Sequence, residues 1–231
     1  DEATPTMTLI ETAGHPKTRM NSEDLSLDKG LSAFDVRHSF TTSFLWNPSV
    51  ELDNATVGAI FRDWQLGCFL NLASGHPFTP LISFNNSRSG VAGSTSRADR
   101  PNLKPGYDTN PKVGKKDLWY DPNAFQLPEP GFFGDLGRNT VTGPGYSNVD
   151  FTVSRDFPIS SVSDDFRIQL RAEFFNLLNH PNFDLPGNSG SVVAASYIFT
   201  NSSGQPNLSA TRPIKTVSNA REIQFGLKLV W

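Results

Sequence analysis

Apolar and polar residues alternate with a period of two over five separate stretches, the pattern of strands that present one apolar face. In Val36–Trp46, Val36, Phe40, Phe44 and Trp46 oppose Arg37, Ser39, Thr41 and Ser43. In Trp64–Leu72, Trp64, Leu66, Cys68, Leu70 and Leu72 alternate with Gln65, Gly67, Phe69 and Asn71. Tyr146–Phe157 sets Val149, Phe151, Val153 and Phe157 against Asn148, Asp150, Thr152 and Ser154. The cleanest is Phe166–Phe174, where Phe166, Ile168, Leu170, Ala172 and Phe174 face away from Arg167, Gln169, Arg171 and Glu173. The last, Glu222–Trp231, opposes Ile223, Phe225, Leu227, Leu229 and Trp231 to Gln224, Gly226 and Lys228.

Length separates two all-β readings of this pattern. Strands of a soluble sandwich also alternate, but they average about 5–6 residues, whereas strands that cross a membrane need about 9–11. The five stretches fall in the longer class. The expected fold is therefore all-β: an antiparallel transmembrane β-barrel segment of about five long strands, an incomplete barrel with long extracellular loops. Slipping the Phe166–Phe174 register by one residue would put Arg167, Arg171 and Glu173 on the lipid side. There a mid-bilayer Arg costs about 2–4 kcal/mol, so the register is firmly set.

The connections alternate in length as the two ends of such a barrel require. Residues 47–63 and 158–165 are short, while 73–145 and 175–221 are long and rich in Gly, Pro, Asn and Ser. If the short connections are periplasmic, so is the end of the last strand, and residues 1–35 are extracellular. Trp46, Trp64, Phe157, Phe166 and Trp231 then all fall at the periplasmic end in the apolar phase, as an interfacial aromatic girdle predicts. Residues 1–34 read as an extracellular loop or irregular segment, and 35–231 as the C-terminal part of the barrel. His38, Thr42 and Arg155 are polar residues in the lipid phase; the first and last are near strand ends, where they can reach headgroups. Phe78–Phe84 and Val192–Phe199 read as loop hairpins, with an extra strand the alternative in each case.

Composition adds little and excludes more. The 231 residues are 37% hydrophobic, and no stretch approaches the roughly 20 apolar residues of a membrane helix. Hydropathy is silent on a barrel, because only alternate residues face lipid. The net charge of −3 comes from interspersed charges, which leaves no basic footprint and no expectation of a nucleic-acid partner. Cys68 is the only cysteine, so neither an internal disulfide nor a cysteine-based metal site is expected. The opening DEATPTMTLIETAG lacks the basic and apolar regions of a signal peptide.

Several stretches carry a resemblance: FDVRHSF (34–40), DWQLGCFLNLASGHPFTP (63–80), RPNLKPG (100–106), WYDPNAFQLPEPGFFGDLGRNTVTGPGYSNVDFTVSRDFPI (119–159), FRIQLRAEFFNLLNHPNF (166–183) and AREIQFGLKLVW (220–231). In this order they resemble TonB-dependent outer-membrane receptors of the Oar-like type, which carry a carboxypeptidase-regulatory-like domain and a plug. The resemblance covers about residues 34–231. It implies a Gram-negative outer membrane, a barrel of about 22 strands filled by a plug, and uptake of a ligand it does not name. Five strands are too few to close, and no plug-like segment or TonB box is recognisable. The expectation is a terminal segment of a larger receptor, contacting the TonB complex only through missing N-terminal regions, with bare edges at the first and last strands.

The terminal strand resembles the assembly signal of outer-membrane proteins, with Ile223, Phe225, Leu227, Leu229 and Trp231 as its apolar phase. It would pair edge to edge with the barrel assembly machinery by β-augmentation. Arg37, Asp150, Arg167, Arg171, Glu173 and Lys228 are the lumen-facing candidates, together with Gln65, Asn71 and Gln169. A hydrogen-bonded, ion-paired barrel interior is the favoured role for them, ahead of a substrate path or an anion site at Arg167 and Arg171. Outer-membrane lipid is the partner of the other face.

No catalytic, cofactor-binding or metal-binding residues are assigned. His15, His38, His76 and His180 lack metal-ligand spacing, and there is no G-x-S-x-G elbow or phosphate loop. Asp164 and Asp165 suit a solvated turn, and His180 in NHPNF reads as a turn residue before Pro181. The aromatic-rich 119–145 loop is expected to pack on itself rather than on a ligand. The function expected is thus non-enzymatic receptor or transporter, against a soluble extracellular β-sandwich that binds a partner.

Overall fold

The structure, a computed structural model, describes residues 20–21, 23–48, 62–89, 99–159, 166–187 and 196–231. Its chain divides into two compact units that interleave in sequence. One takes 38–73, 146–181 and 218–231; the other takes 1–37, 74–145 and 182–217.

The first unit is a single antiparallel sheet of five strands: β1 (Ser39–Trp46), β2 (Trp64–Ala73), β3 (Tyr146–Pro158), β4 (Arg167–Phe175) and β5 (Glu222–Val230). They lie side by side in chain order. The five stretches of alternation therefore become the five long strands, with no end moved by more than three residues. The largest shift is at the first. Val36–His38 alternate like the rest, yet β1 begins only at Ser39, opposite Ala73, the last residue of β2. A strand ends where its ladder partner ends. Beyond Ala73 the chain leaves the sheet, and Pro77–Phe78 pair with Val141–Thr142 instead. Gly75 makes that departure possible, because a Cβ there would collide with the backbone carbonyl of Gly143.

The second unit is built from the long connections, and it has a hydrophobic core of its own. Phe78, Ile82, Tyr120, Phe125, Val141, Ile198 and Phe199 are all buried in it, with Trp119, Leu136 and Leu185 beside them. Tyr120 is central: its ring meets those of Phe78 and Phe125, each at 5.8 Å between centroids. The Tyr120 hydroxyl shares a hydrogen bond with Ser196 Oγ (2.7 Å) and reaches the Ala210 carbonyl (3.1 Å). Burial pushes its pKa well above the usual tyrosine value, the Ser196 bond opposing only in part, so the hydroxyl stays protonated.

Leu81–Ile82 pair in parallel with Tyr197–Phe199. The pieces expected as separate hairpins thus pair with one another across the sequence. Residues 192–195 of the second piece lie outside the described residues. Arg100, fully buried, is matched by Asp28 at 3.0 Å and by the Leu27 carbonyl at 2.8 Å. Trp119, Tyr120 and Phe125 turn inward as a self-packed loop requires, while Phe132 stays 64% exposed.

Candidate functional site

Register decides which side chains share a face, and here it divides the sheet cleanly. Phe44 pairs with Cys68, Cys68 with Phe151, Phe151 with Phe174, and Phe174 with Ile223. The next rows run Trp46–Leu66–Val153–Ala172–Phe225 and Trp64–Arg155–Leu170–Leu227. One face is therefore a broad apolar band, interrupted by Thr42, by Ser147 and, in the last of these rows, by Arg155. Its side chains remain open: Phe44 is 62% exposed, Phe225 79% and Leu227 65%. A continuous patch of this kind marks contact with lipid or a partner.

Five aromatics lie at one end of that band. Trp46 ends β1, Trp64 begins β2, Phe157 is next to last in β3, Phe166 immediately precedes β4 and Trp231 follows β5. This is also the end of the short connections, where the Ile159 amide closes on the Phe166 carbonyl at 2.9 Å. Arg155 lies here on the apolar face. Its guanidinium stands 4.4 Å from the Phe157 ring centroid and 5.4 Å from that of Trp64, within the reach of cation–π attraction.

The opposite face is polar and internally satisfied over much of its length. Asp156 accepts a hydrogen bond from Gln169 at 2.8 Å and pairs with Arg167 at 3.8 Å. Arg171 and Glu173, two residues apart and so on one face, form an ion pair at 2.6 Å. Asp150 accepts the Asn176 amide at 2.8 Å, and Ser154 meets Gln65 at 3.4 Å. Lys228 sits opposite Gln169 on the same face. Five of the six charged candidates thus share one surface. Arg37 does not: it occupies an exposed bend before β1 because the ladder stops at Ser39. The pairing of Arg171 with Glu173 uses charge that an anion site at Arg167 and Arg171 would need. Since the Arg167 and Arg171 side chains are about half exposed, such pairs contribute at most about 1 kcal/mol each.

Alternation alone did not single out Asp156. Only the register shows that it lies opposite Gln169 and next to Arg167, so the signal lay in pairing rather than in composition.

The terminal strand β5 pairs with β4 over its whole length, Glu222 opposite Phe175 through Val230 opposite Arg167. Its other side has no strand partner among the described residues, and neither does the outer side of β1. Ile223, Phe225, Leu227 and Leu229 all project on the apolar face, in phase with Trp231.

Neither His180 nor His76 lies in a strand of this sheet. His180 belongs to a turn whose backbone is tied by Asn176: the Asn176 side chain accepts the His180 amide at 2.9 Å and donates to its carbonyl at 3.1 Å. Asn176 and Asn179 both hold positive φ there, which asparagine tolerates. His76 is half-buried in the second unit, where burial lowers its pKa against the opposing pull of the Ala33 carbonyl and Asp35. His15, Asp164 and Asp165 lie outside the described residues.

A family model for an outer membrane beta barrel domain matches residues 6–224 of the chain. No curated protein and no solved structure matches it.

Proposed function

The chain belongs to the outer membrane beta barrel domain family, and on that premise we propose that it is the C-terminal barrel segment of a TonB-dependent receptor that takes up an external ligand. Membership places it in the bacterial outer membrane. One observation carries the spanning role: a single register puts most of the apolar residues of five strands on one face, with five aromatics, Trp46, Trp64, Phe157, Phe166 and Trp231, at one end of it. An outward apolar band edged by aromatic rings is what a barrel wall presents to lipid, and a polar inner face is its counterpart. The finer, TonB-dependent identity is supported by the Oar-like stretches between 34 and 231. Contact with the TonB complex would come through regions N-terminal to these.

In this reading the polar residues Asp150, Arg167, Arg171, Glu173 and Lys228 line the barrel interior, and the short-connection end faces the periplasm. Strand β5 supplies the edge through which the assembly machinery takes hold of the barrel. A soluble β-sandwich, the rival all-β reading, would need a second sheet over the apolar band.

The first test is physical. The full-length protein should require detergent and should run as a heat-modifiable band, its folded form shifting on boiling. A chain that stays monomeric and soluble without detergent would overturn the spanning role. Orientation is tested in a Cys68→Ser background. Tyr107→Cys, exposed in the second unit, should react with a membrane-impermeant thiol reagent on intact cells. Arg62→Cys, exposed at the short-connection end, should react only after the outer membrane is opened. The reverse pattern would overturn the orientation and leave the barrel intact.

A further inference from the structure

The long connections that build the second unit also shape a cleft within it. One wall is a short ladder: Phe183 bridges Thr216, the Asp184 amide donates to the Lys215 carbonyl at 2.9 Å, and the Val217 amide donates to the Asn182 carbonyl at 2.8 Å. Another is the turn at Lys116 and Asp117, between the paired segments Lys112–Lys115 and Leu118–Tyr120. Arg212, directly after the single 3-10 turn Leu208–Thr211, joins the two, its Nε donating to the Asp117 carbonyl at 3.2 Å. These segments line about 700 Å³ of space, within the range of about 300–1,000 Å³ typical of small-molecule sites.

The lining has two chemistries. Phe183, Pro213 and Ile214 are its apolar part, while Lys116, Arg212 and Lys215 are its cations and Asp117 its carboxylate. Lys215 stands 3.9 Å from Asp184. With Asp184 counted, three cations meet two carboxylates, an excess of one positive charge. Neither Lys116 Nζ nor the two Nη nitrogens of Arg212 have a hydrogen-bond or ion-pair partner among the described residues. The bond from Nε to the Asp117 carbonyl holds the guanidinium and leaves its Nη edge open. That edge is the planar fork that matches a carboxylate with two parallel hydrogen bonds.

We propose that this cleft binds a small external ligand carrying one carboxylate on an apolar body, the carboxylate forked on the Nη edge of Arg212 and the body lying on Phe183, Pro213 and Ile214. Lys116 adds a second positive charge beside the fork. The excess of a single charge favours a monoanion. A polyanion, such as the phosphate-bearing glycolipid of the outer leaflet, would set its further charges against Asp117 and Asp184. The apolar part of the lining selects a ligand with a body to bury, since apolar walls with a few placed polar groups are what orient a small molecule. That the ligand is external rests on the receptor role proposed above, which puts the second unit outside the cell.

The test is fluorine NMR relaxation of two probes, para-fluorophenylpropionate and the matching alcohol para-fluorophenylpropanol, each with the full-length protein in non-ionic detergent and with detergent alone. The wild type should bind the carboxylate roughly tenfold more tightly than the alcohol, the worth of a hydrogen bond to a charged group. Arg212→Gln should abolish that preference, and Arg212→Lys, which keeps the charge without the fork, should restore only part of it. Asp117→Asn removes a carboxylate with no hydrogen-bond or ion-pair partner among the described residues. It should bind the carboxylate about two- to threefold more tightly, as loss of one exposed like charge allows. Lys29→Gln, exposed in the same unit and outside the lining, should leave both probes unchanged. No binding of the carboxylate, equal binding of the two probes by the wild type, or an undiminished preference in Arg212→Gln would overturn the site. Unchanged or weaker carboxylate binding by Asp117→Asn would do the same. Displacement of the probe by equimolar lipopolysaccharide would give the cleft to the glycolipid and likewise overturn the proposal. Because binding is read on purified protein, a preference kept by a chain that is not heat-modifiable leaves the site standing and overturns the spanning role. A heat-modifiable barrel without the preference does the reverse.

Discussion

Full-length protein carrying Phe225→Asp and Leu229→Asp should fail to accumulate in the outer membrane as a heat-modifiable barrel. Both side chains project from β5 on the apolar face, Phe225 opposite Ala172 and Leu229 opposite Ile168. Each change removes an apolar group whose burial in lipid contributes about 1.5–3 kcal/mol, and each puts a carboxylate where none can be solvated. The two together weaken insertion by at least about 3 kcal/mol, more than a hundredfold in the inserted fraction. A second effect adds to this, since the alternation that assembly machinery would read along the strand edge is broken at two of its apolar positions. Removing Trp231 should impair assembly in the same direction. Gln224→Asp, on the polar face of the same strand, should assemble normally. The contrast with Phe40→Asp and Phe44→Asp in β1 separates the two effects. An equal loss there would reduce the terminal strand to an ordinary part of the wall, and normal assembly of the β5 variant would remove its role altogether.

The second large effect is expected in the other unit. Phe125→Ala removes a ring that is 1% exposed and packed edge-on against Tyr120. Truncating a buried aromatic costs about 3–5 kcal/mol, a large part of what a small unit has. Hydrogen exchange in detergent should show faster exchange of amides across Pro77–Phe78, Leu118–Tyr120, Val141–Thr142 and Tyr197–Phe199. The amides of β2, β3 and β4 should keep their protection, because the sheet is held by its own ladders. Faster exchange throughout both units would mean that they unfold as one.

The strands were legible because membrane-spanning alternation is a local signal, repeated in every residue from Phe166 to Phe174. Register was legible too, since the charges of Arg167, Arg171 and Glu173 leave only one face free. What alternation could not reveal is where pairing stops. Val36–His38 have the pattern of a strand, yet the ladder begins only at Ser39, opposite Ala73, because residues 74–78 leave the sheet. Arg37 was misplaced for that reason. The second unit was hidden more deeply. Leu81–Ile82 and Tyr197–Phe199 are more than a hundred residues apart, and nothing in either short apolar run specifies the other. Arg155 was visible as an oddity near a strand end. Its position by the Trp64 and Phe157 rings needed two strands in register before it could be seen.

The contacts that close the second unit span very long stretches of chain. Ser83 bonds Thr200 across 117 residues, Asn139 bonds Leu31 across 108, and Tyr120 bonds Ala210 across 90. Contacts so remote in sequence are slow to find, because the chain loses loop-closure entropy before it gains any interaction. The ladders shorten that search, since pairing Ala73 with Tyr146 brings the two ends of the 74–145 connection together. The order expected on this ground is that the strands zip first and the connections condense afterwards. Those connections also share one interior, so they must change together as the protein diversifies. A larger side chain at Phe199 has to be accommodated by the rest of that cluster, much of it in a different connection, and transplanting a single loop into a relative would bring half a core without its complement.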